Sequence, residues 1–362
     1  MPATQQQPCP APLPVRPPIQ LGPYTLANPV FVAPMAGVTD RPFRQLCRQL
    51  GAGYAVSEMA ASDPRLWDSV KTSRRLNHEG EDAPIAVQLV GADAHMLAQA
   101  ARYNVSRGAQ IIDINMGCPA KKVCGAACGS ALLKDEAKVR ALIEAVVEAV
   151  SSLGDIPVTL KFRTGWDLAH RNALRIAHIA QDVGVRMLVL HGRTRSCGFK
   201  GQAEYDTIAA VKQAVRIPVV ANGDIDTPQK ARDVFAATGA DAIMIGRAAL
   251  GRPWLFREIN HYLHTGTHCP PPTIEEARAL LAQHLDAHHR FYGSAVGVRT
   301  ARKHLCGYLK AVPGSNTFGQ LLMQIDDCAA QARAVDDFFK ALSQHAGPYL
   351  YPESERLLEQ SQ

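Results

Sequence analysis

The sequence predicts an α/β protein, a (β/α)8 TIM barrel with a C-terminal all-helical domain. Three observations predict it. Short apolar or β-branched runs recur eight times between residues 20 and 254, each followed by a helical period. Nearly every run ends in polar residues, which such barrels gather on one rim. Beyond Pro253 the strand-like runs stop and only helical periods remain.

The chain has 362 residues, 47% of them apolar and 20% charged, which is a globular composition with enough apolar side chains for a sizeable core. Global disorder, collagen-like repeats and coiled coil are excluded, and no run approaches a membrane span. A net charge of +6 is compatible with a polyanionic partner and is weak evidence for one. The nine cysteines are odd in number and scattered from Cys9 to Cys328, which reads as reduced thiols in a cytoplasmic protein.

In chain order, residues 1–19 are a Pro-rich lead, expected to be disordered, without the basic and apolar regions of a signal peptide. IQLGPYTLANP is expected to form a short hairpin closing the barrel floor. The eight strands are expected at 30–37, 53–60, 85–91, 111–117, 158–164, 187–193, 219–225 and 242–248. Asp93 is positioned to cap a helix that stops at Gly108; Asp226, with Pro228 in the first turn, starts one that stops at Gly239. The barrel is assigned residues 20–255, and 256–272 a linking helix and linker. The helical domain is assigned 273–346, and 347–362 a polar tail.

The strand ends carry the chemistry. Pro34-Met35-Ala36, Glu58, Gln88, Asn115 and Cys118, Lys161 and Arg163, His191 and Arg193, Asn222-Gly223-Asp224 and Gly246-Arg247 fall at one rim. Glycines after the last two strands let backbone N–H groups approach an anion, and Arg247 adds charge, so VVANGD and MIGRA read as a phosphate site. Lys161 is either a Schiff-base nucleophile or a cation paired with a bound anion; a reduced flavin is such an electron-rich ligand. Gln88 and Asn115 suit its amide-like edge. Cys118 has three readings: nucleophile, metal ligand or proton donor. Cys118, Cys124 and Cys128 match no iron–sulfur spacing, and no His pair near them suggests zinc, so no metal is expected. His288-His289 reads as a solvated helix face. His191 could bind phosphate, contact a ring or hold substrate. No Rossmann fingerprint is present, so a nicotinamide would be a passing donor.

In the helical region Val298, Ala301, Leu305, Tyr308 and Val312 form a core-facing stripe. Arg299, Arg302, Lys303 and Lys310 lie off it, a basic face suited to phosphate backbones; because the domain as a whole is nearly neutral, the same residues taken alone read equally as an ordinary solvated face.

These segments together resemble the tRNA-dihydrouridine synthase family, closely its bacterial B-type branch. The matching stretches include APMAGVTDRPFR (33–44), DINMGCPAKKV (113–123), TLKFRTGW (159–166), HGRTR (191–195), ANGDI (221–225), TGADAIMIGRAALGRPW (238–254) and ARKH (301–304), in collinear order. The resemblance implies an FMN-containing barrel with a helical tRNA-binding domain. NADPH reduces the flavin, hydride passes from flavin N5 to C6 of a flipped-out D-loop uridine, and Cys118 donates a proton to C5. By motif, Pro34, Met35, Ala36, Gln88, Lys161, Asn222, Gly223, Asp224, Gly246 and Arg247 contact FMN. Asn115, Arg163 and His191 line the pocket around substrate and flavin. B-type enzymes point to position 17 of the D loop, and nothing demands more than a monomer. The loop Cys124-Gly125-Ala126-Ala127-Cys128 departs from the basic loop expected there; a Cys124–Cys128 or Cys118–Cys124 disulfide is conceivable under oxidation. Two other functions share parts of the pattern. A free-pyrimidine flavoenzyme of the dihydroorotate dehydrogenase kind would not need the helical domain, and a tRNA-binding protein without catalysis would not need Cys118 and Lys161.

Overall fold

The computed structural model describes residues 16–125, 127–310, 312, 314–345, 349 and 350. Eleven strands alternate with helices as far as residue 265. A two-stranded hairpin, β1 (Gln20–Leu21) and β2 (Tyr24–Thr25), precedes a parallel sheet of β3 (Val30–Val32), β4 (Tyr54–Ala55), β5 (Ala60–Ala61), β6 (Ala86–Val90), β7 (Ile111–Met116), β8 (Val158–Arg163), β9 (Met187–His191), β10 (Val219–Asn222) and β11 (Ala242–Ile245). Its order is β4-β3-β11-β10-β9-β8-β7-β6-β5. The two ends of that order meet in one stretch of chain: Tyr54–Ala55 pairs with β3, Val56 bridges Ala86, and Ala60–Ala61 pairs with β6. The single strand expected at 53–60 is therefore two short ones about an interruption. There Ser57 Oγ accepts the Gln88 N–H at 3.0 Å in place of a main-chain partner.

Both faces of the strands are apolar, as a sheet covered on both sides requires. Alternate residues separate cleanly. Phe31, Tyr54, Ala86, Ile111, Met187, Val189, Val220, Ala242 and Met244 fill the barrel interior with Ile19, Leu21 and Leu26. Val32, Leu89, Ile112, Leu160, Leu190 and Ile243 pack outward against the helices. The floor hairpin thus plugs the barrel from below. Higher up the inward positions become polar (Gln88, Asp113, Thr159), and all three are buried. That change of layer builds the site.

The helices are α1 (Arg41–Gln49), α2 (Val70–Arg75), α3 (Ala94–Ser106), α4 (Lys121–Gly125), α5 (Glu136–Ser151), α6 (Ala173–Val183), α7 (Asp206–Ala214), α8 (Pro228–Thr238), α9 (Leu255–Thr265), α10 (Ile274–Tyr292), α11 (Ser294–Leu309), α12 (Asn316–Leu322) and α13 (Cys328–His345). Asp93 caps α3 by accepting the Met96 N–H at 2.8 Å. The cap of α8 is Thr227 rather than Asp226, its hydroxyl accepting the Lys230 N–H at 3.1 Å with Pro228 in the first turn. Helix α9 buries Leu255, Phe256 and Ile259 in the barrel's outer shell, while Trp254 belongs to the core of α10–α13. Gly251, with φ +80°, touches the Gly307 backbone so closely that a Cβ would lie 2.0 Å from its carbonyl carbon. The barrel's last loop and α11 are therefore in direct contact.

Two terminal expectations change. Residues 1–15 lie outside the described residues, but Arg16 donates to the Ala240 carbonyl at 2.5 Å and stacks on Phe235, and Ile19 is buried. Residues 16–19 thus belong to the barrel. In the tail, Tyr349 bridges Thr273 and Leu350 is buried in the helical core. The stripe Val298, Ala301, Leu305, Tyr308 and Val312 is buried as expected. Among the described residues no helix is long and apolar enough to cross a membrane.

Candidate active site

Register sets the heights of the rim residues. Asn115 lies opposite Lys161, Arg163 opposite His191, and His191 opposite Asn222. Because side chains alternate along a strand, Asp113 and Asn115 share the inner face of β7, and Lys161 and Arg163 that of β8.

The lower tier is a chain of buried hydrogen bonds. Thr159 Oγ1 donates to Asp113 Oδ1 at 2.5 Å, and Gln88 Nε2 to Asp113 Oδ2 at 2.7 Å. Asn115 Nδ2 donates to Gln88 Oε1 at 2.7 Å, and Asn115 Oδ1 accepts the N–H groups of Gly117 and Cys118 at 3.1 and 3.0 Å. Burial pushes the Asp113 carboxyl up to about 6 against these hydrogen bonds and the nearby Lys161. Lys161 Nζ donates to Asn222 Oδ1 at 2.8 Å, and Asn222 donates to the Met244 carbonyl at 2.7 Å. Burial, with Arg163 beside it, pushes the Lys161 ammonium down to about 8. It remains mostly charged at neutral pH.

The upper tier is cationic. Arg193 forms a bidentate pair with Asp224 at 2.9 and 2.5 Å, and Arg247 reaches the same carboxylate at 3.2 Å. Asp224 also accepts the Ala203 N–H at 2.8 Å. Its carboxylate therefore holds two arginines in place instead of standing free toward a ligand. Arg163, expected to line the pocket, is buried and donates to the carbonyls of Gly117, Thr194 and Gly198 at 2.7, 2.9 and 2.8 Å. It fastens the Cys118 loop to the loop after β9. His191 is held down to about 2 by burial and by Lys161, Arg163, Arg193 and Arg247, so its imidazole is neutral.

Cys118 follows β7 in a loop pinned on several sides. Its N–H is held by Asn115, and its carbonyl accepts the Ser130 hydroxyl at 2.9 Å and the Ser130 N–H at 3.2 Å. Burial raises the thiol above its ordinary value, against a hydrogen bond from the Ala120 N–H. Cys124 Sγ lies 3.5 Å from the Cys118 carbonyl oxygen, and Cys118 and Cys124 are free thiols.

The remaining expected residues lie at the same rim. Met35 sits in the turn after β3, its N–H on Thr39 Oγ1 at 2.7 Å, flanked by Pro34 and Ala36. Gly246 lies beside it: a Cβ there would be 3.8 Å from Met35 Sδ. Gly223 has φ +129°, and a Cβ would lie 2.7 Å from Ala203 Cβ, so the turn requires glycine. The basic face of α11 divides. Arg299 and Lys303 are exposed, and Lys303 Nζ lies 3.4 Å from the Ala36 carbonyl at the rim. Arg302 is instead committed to Asp326 and the Ile325 carbonyl at 2.7 and 3.0 Å.

Sequence reasoning passed over Asp113 and Thr159, although Asp113 stands two residues before Asn115, the spacing that places both on one face. It also misread His288-His289. His288 is 2% exposed and faces Asp40 across the seam between α1 and α10; His289 contacts Gln331 at 2.9 Å.

His191 gives a pH test of this geometry. Its neutral form is native, so below about pH 6.5 the unfolded chain binds a proton that the native state does not. Stability is then lost as pH falls from 6.5 toward 2. His191→Asn is expected to flatten the fall between pH 6.5 and 4.5 by about 1.4 kcal/mol per pH unit, read by urea unfolding. Parallel profiles for the two proteins would mean that His191 titrates normally.

The dihydrouridine synthase (Dus) family model matches residues 31–343. The chain is 58% identical over 321 residues to tRNA-dihydrouridine synthase B of Pseudomonas aeruginosa, covering 89% of this chain and 96% of that protein. It is 56% identical over 333 residues to tRNA-dihydrouridine synthase B of Xanthomonas campestris, covering 92% and 99%. Among solved structures, 6-hydroxypseudooxynicotine amine oxidase of Pseudomonas geniculata superposes with a TM-score of 0.55 at 15% identity, over 93% of this chain and 68% of that one. Histamine dehydrogenase of Rhizobium sp. 4-9 does so with a TM-score of 0.53 at 12% identity, over 93% and 65%. At such identities the last two speak to the fold alone. With the family model and the B-type relatives spanning both barrel and helical domain, the chain belongs to the dihydrouridine synthase family.

Proposed function

We propose that this chain reduces the C5=C6 bond of a D-loop uridine in tRNA to 5,6-dihydrouridine, with FMN as its resident group and NADPH as electron donor, in the cytoplasm and as a monomer. The observation that carries the reading is the Cys118 thiol, in a loop pinned by Asn115, Ser130 and Arg163 at the rim of a barrel mouth that gathers Lys161, Arg193 and Arg247.

The mouth fits FMN. Arg247 and the turns at Gly223 and Gly246 suit its phosphate, the half-buried Lys161 ammonium suits the electron-rich pyrimidine edge, and the amides of Gln88 and Asn115 suit the ring's polar groups. When bound, FMN reduced by NADPH would supply the hydride that C6 of the uracil receives. Cys118 completes the reduction: its S–H bond breaks, a C–H bond forms at C5, and the thiolate recovers a proton from solvent. A thiol held above its ordinary pKa enters that step charged with its proton. Neutral His191 adds a polar contact without another positive charge, and Arg163 keeps the Cys118 loop in place.

A uridine in folded RNA must leave its stack to reach this rim, at a cost of a few kcal/mol. Backbone contacts from the helical domain offset it. Arg299 and Lys303 supply them, whereas Arg302 is held by Asp326. Replacing Arg299 and Lys303 with alanine should reduce the slope of log K against log salt by about 2. Arg302→Ala should leave that slope unchanged; the reverse ranking would place the RNA surface elsewhere. The reading as a whole is tested by giving the FMN-reconstituted chain NADPH and unmodified tRNA. Dihydrouridine in the RNA is expected. Reduction of free orotate without RNA, or a protein that stays colourless after FMN addition, would contradict it.

A further inference from the structure

Outside the barrel mouth, four buried side chains from three helices converge where the helical domain meets the barrel. Asp40 is the N-cap of α1: its Oδ1 accepts the Phe43 N–H at 3.1 Å, leaving Oδ2 facing α10 and α11. Around Oδ2 stand His288 Nδ1 at 3.3 Å and His304 Nε2 at 3.9 Å, with His284 alongside. One donor atom from each of the four lies within 4.8 Å of the others. All four residues are at most 3% exposed.

The hydrogen bonds say which ring nitrogens face inward. Thr300 Oγ1 gives its proton to the Val296 carbonyl at 2.9 Å, so at 2.8 Å it accepts from His288 Nε2–H. In the neutral ring the lone pair of His288 Nδ1 then faces the Asp40 carboxylate, 3.3 Å away. His284 Nδ1 contacts the Tyr308 hydroxyl at 3.2 Å, which leaves Nε2 inward. His284 Nε2, His288 Nδ1 and both nitrogens of His304 have no hydrogen-bond partner. Buried polar groups are almost always paired, and a carboxylate facing lone pairs repels them unless a cation lies between.

We infer that Asp40, His284, His288 and His304 form a structural divalent-metal site, best suited to zinc, that ties the helical domain to the barrel. Three imidazoles and a carboxylate are a zinc donor set, and bonds of about 2.0–2.1 Å in a tetrahedron set neighbouring donors roughly 3.4 Å apart. The 3.3 and 3.9 Å separations already approach that spacing. The Thr300 and Tyr308 hydroxyls orient two of the rings from outside, as partners of metal-bound imidazoles do. The site is closed, with no open position for substrate. Its place is mechanical: Lys303 at the rim turn and His304 at the cluster are adjacent on α11. The inference stands apart from the proposed reaction, since metal content and catalysis are read separately.

The test uses the untagged full-length chain. It is stripped with a chelator and titrated with Co2+, then with Zn2+ in competition with a chromophoric chelator. One equivalent of cobalt per chain with intense tetrahedral visible bands is expected, displaced by zinc, with a rise in Tm on zinc addition. His304→Gln should lose that equivalent. If that variant does not fold, Thr300→Val, which only removes an outer partner, should weaken zinc binding about tenfold with its circular dichroism unchanged. Absence of the cobalt bands together with a Tm indifferent to zinc would overturn the inference. The cluster would then be a protonated His288–Asp40 pair. Tetrahedral cobalt binding undiminished in both variants would overturn it equally.

Discussion

Cys118→Ala is expected to bind flavin and tRNA as the parent protein does and yet to reduce uridine roughly 10²–10⁴-fold more slowly, the range for losing a positioned general acid. The thiol contacts neither Lys161 nor the arginine–aspartate cluster, and its loop is held by main-chain groups: the Cys118 N–H on Asn115, its carbonyl on Ser130, and Gly117's carbonyl on Arg163. Truncation of the side chain therefore leaves the loop standing. The clean measurement is single turnover of pre-reduced enzyme with tRNA, where hydride and proton delivery are observed without flavin re-reduction. A variant as fast as the parent would remove Cys118 from the reaction and make solvent the proton source.

Asp224→Ala is expected to cost about 3 kcal/mol of stability, read as a fall in Tm and in the urea midpoint. The Arg193 guanidinium is 2% exposed and loses its bidentate partner, while Asp224 itself is 28% exposed, so the figure belongs at the lower end for a broken buried pair. Arg247, 57% exposed, loses only a solvent-screened contact. The same substitution frees the two arginines for an external anion. Inorganic phosphate should then restore part of the lost Tm in the variant and do less for the parent. A loss under 1 kcal/mol, or indifference to phosphate, would mean that Asp224 does not hold the cationic rim together.

The barrel was readable because its two interiors leave a simple trace. A parallel strand covered on both faces is an unbroken apolar run, and the eight runs stood out with polar residues at their ends. Gln88, Asn115, Lys161, His191 and Asn222 indeed meet at one rim, since strand register in a barrel follows from the chain order of its units. What each rim residue does was less legible. Arg163 and Asp224 look like ligand contacts in sequence, but Arg163 is committed to three carbonyls and Asp224 to two arginines, partners set by loops far apart in the chain. Arg302 was counted with a basic face because Asp326, its partner, lies 24 residues away. The Asp40–histidine cluster was the hardest to see, because its donors come from α1, α10 and α11. Only the i,i+4 spacing of His284 and His288, which puts two imidazoles on one helical face, hinted at it.

The proposal that this barrel mouth makes dihydrouridine in tRNA, with Cys118 as the acid, is open to measurement in cells. The most direct measurement maps dihydrouridine in tRNA from cells lacking the gene, complemented with the parent chain or with Cys118→Ala. The deletion is expected to lose one D-loop dihydrouridine, at position 17 for a B-type protein, restored by the parent chain and not by the variant. Dihydrouridine unchanged by the deletion, or restored equally by Cys118→Ala, would contradict it.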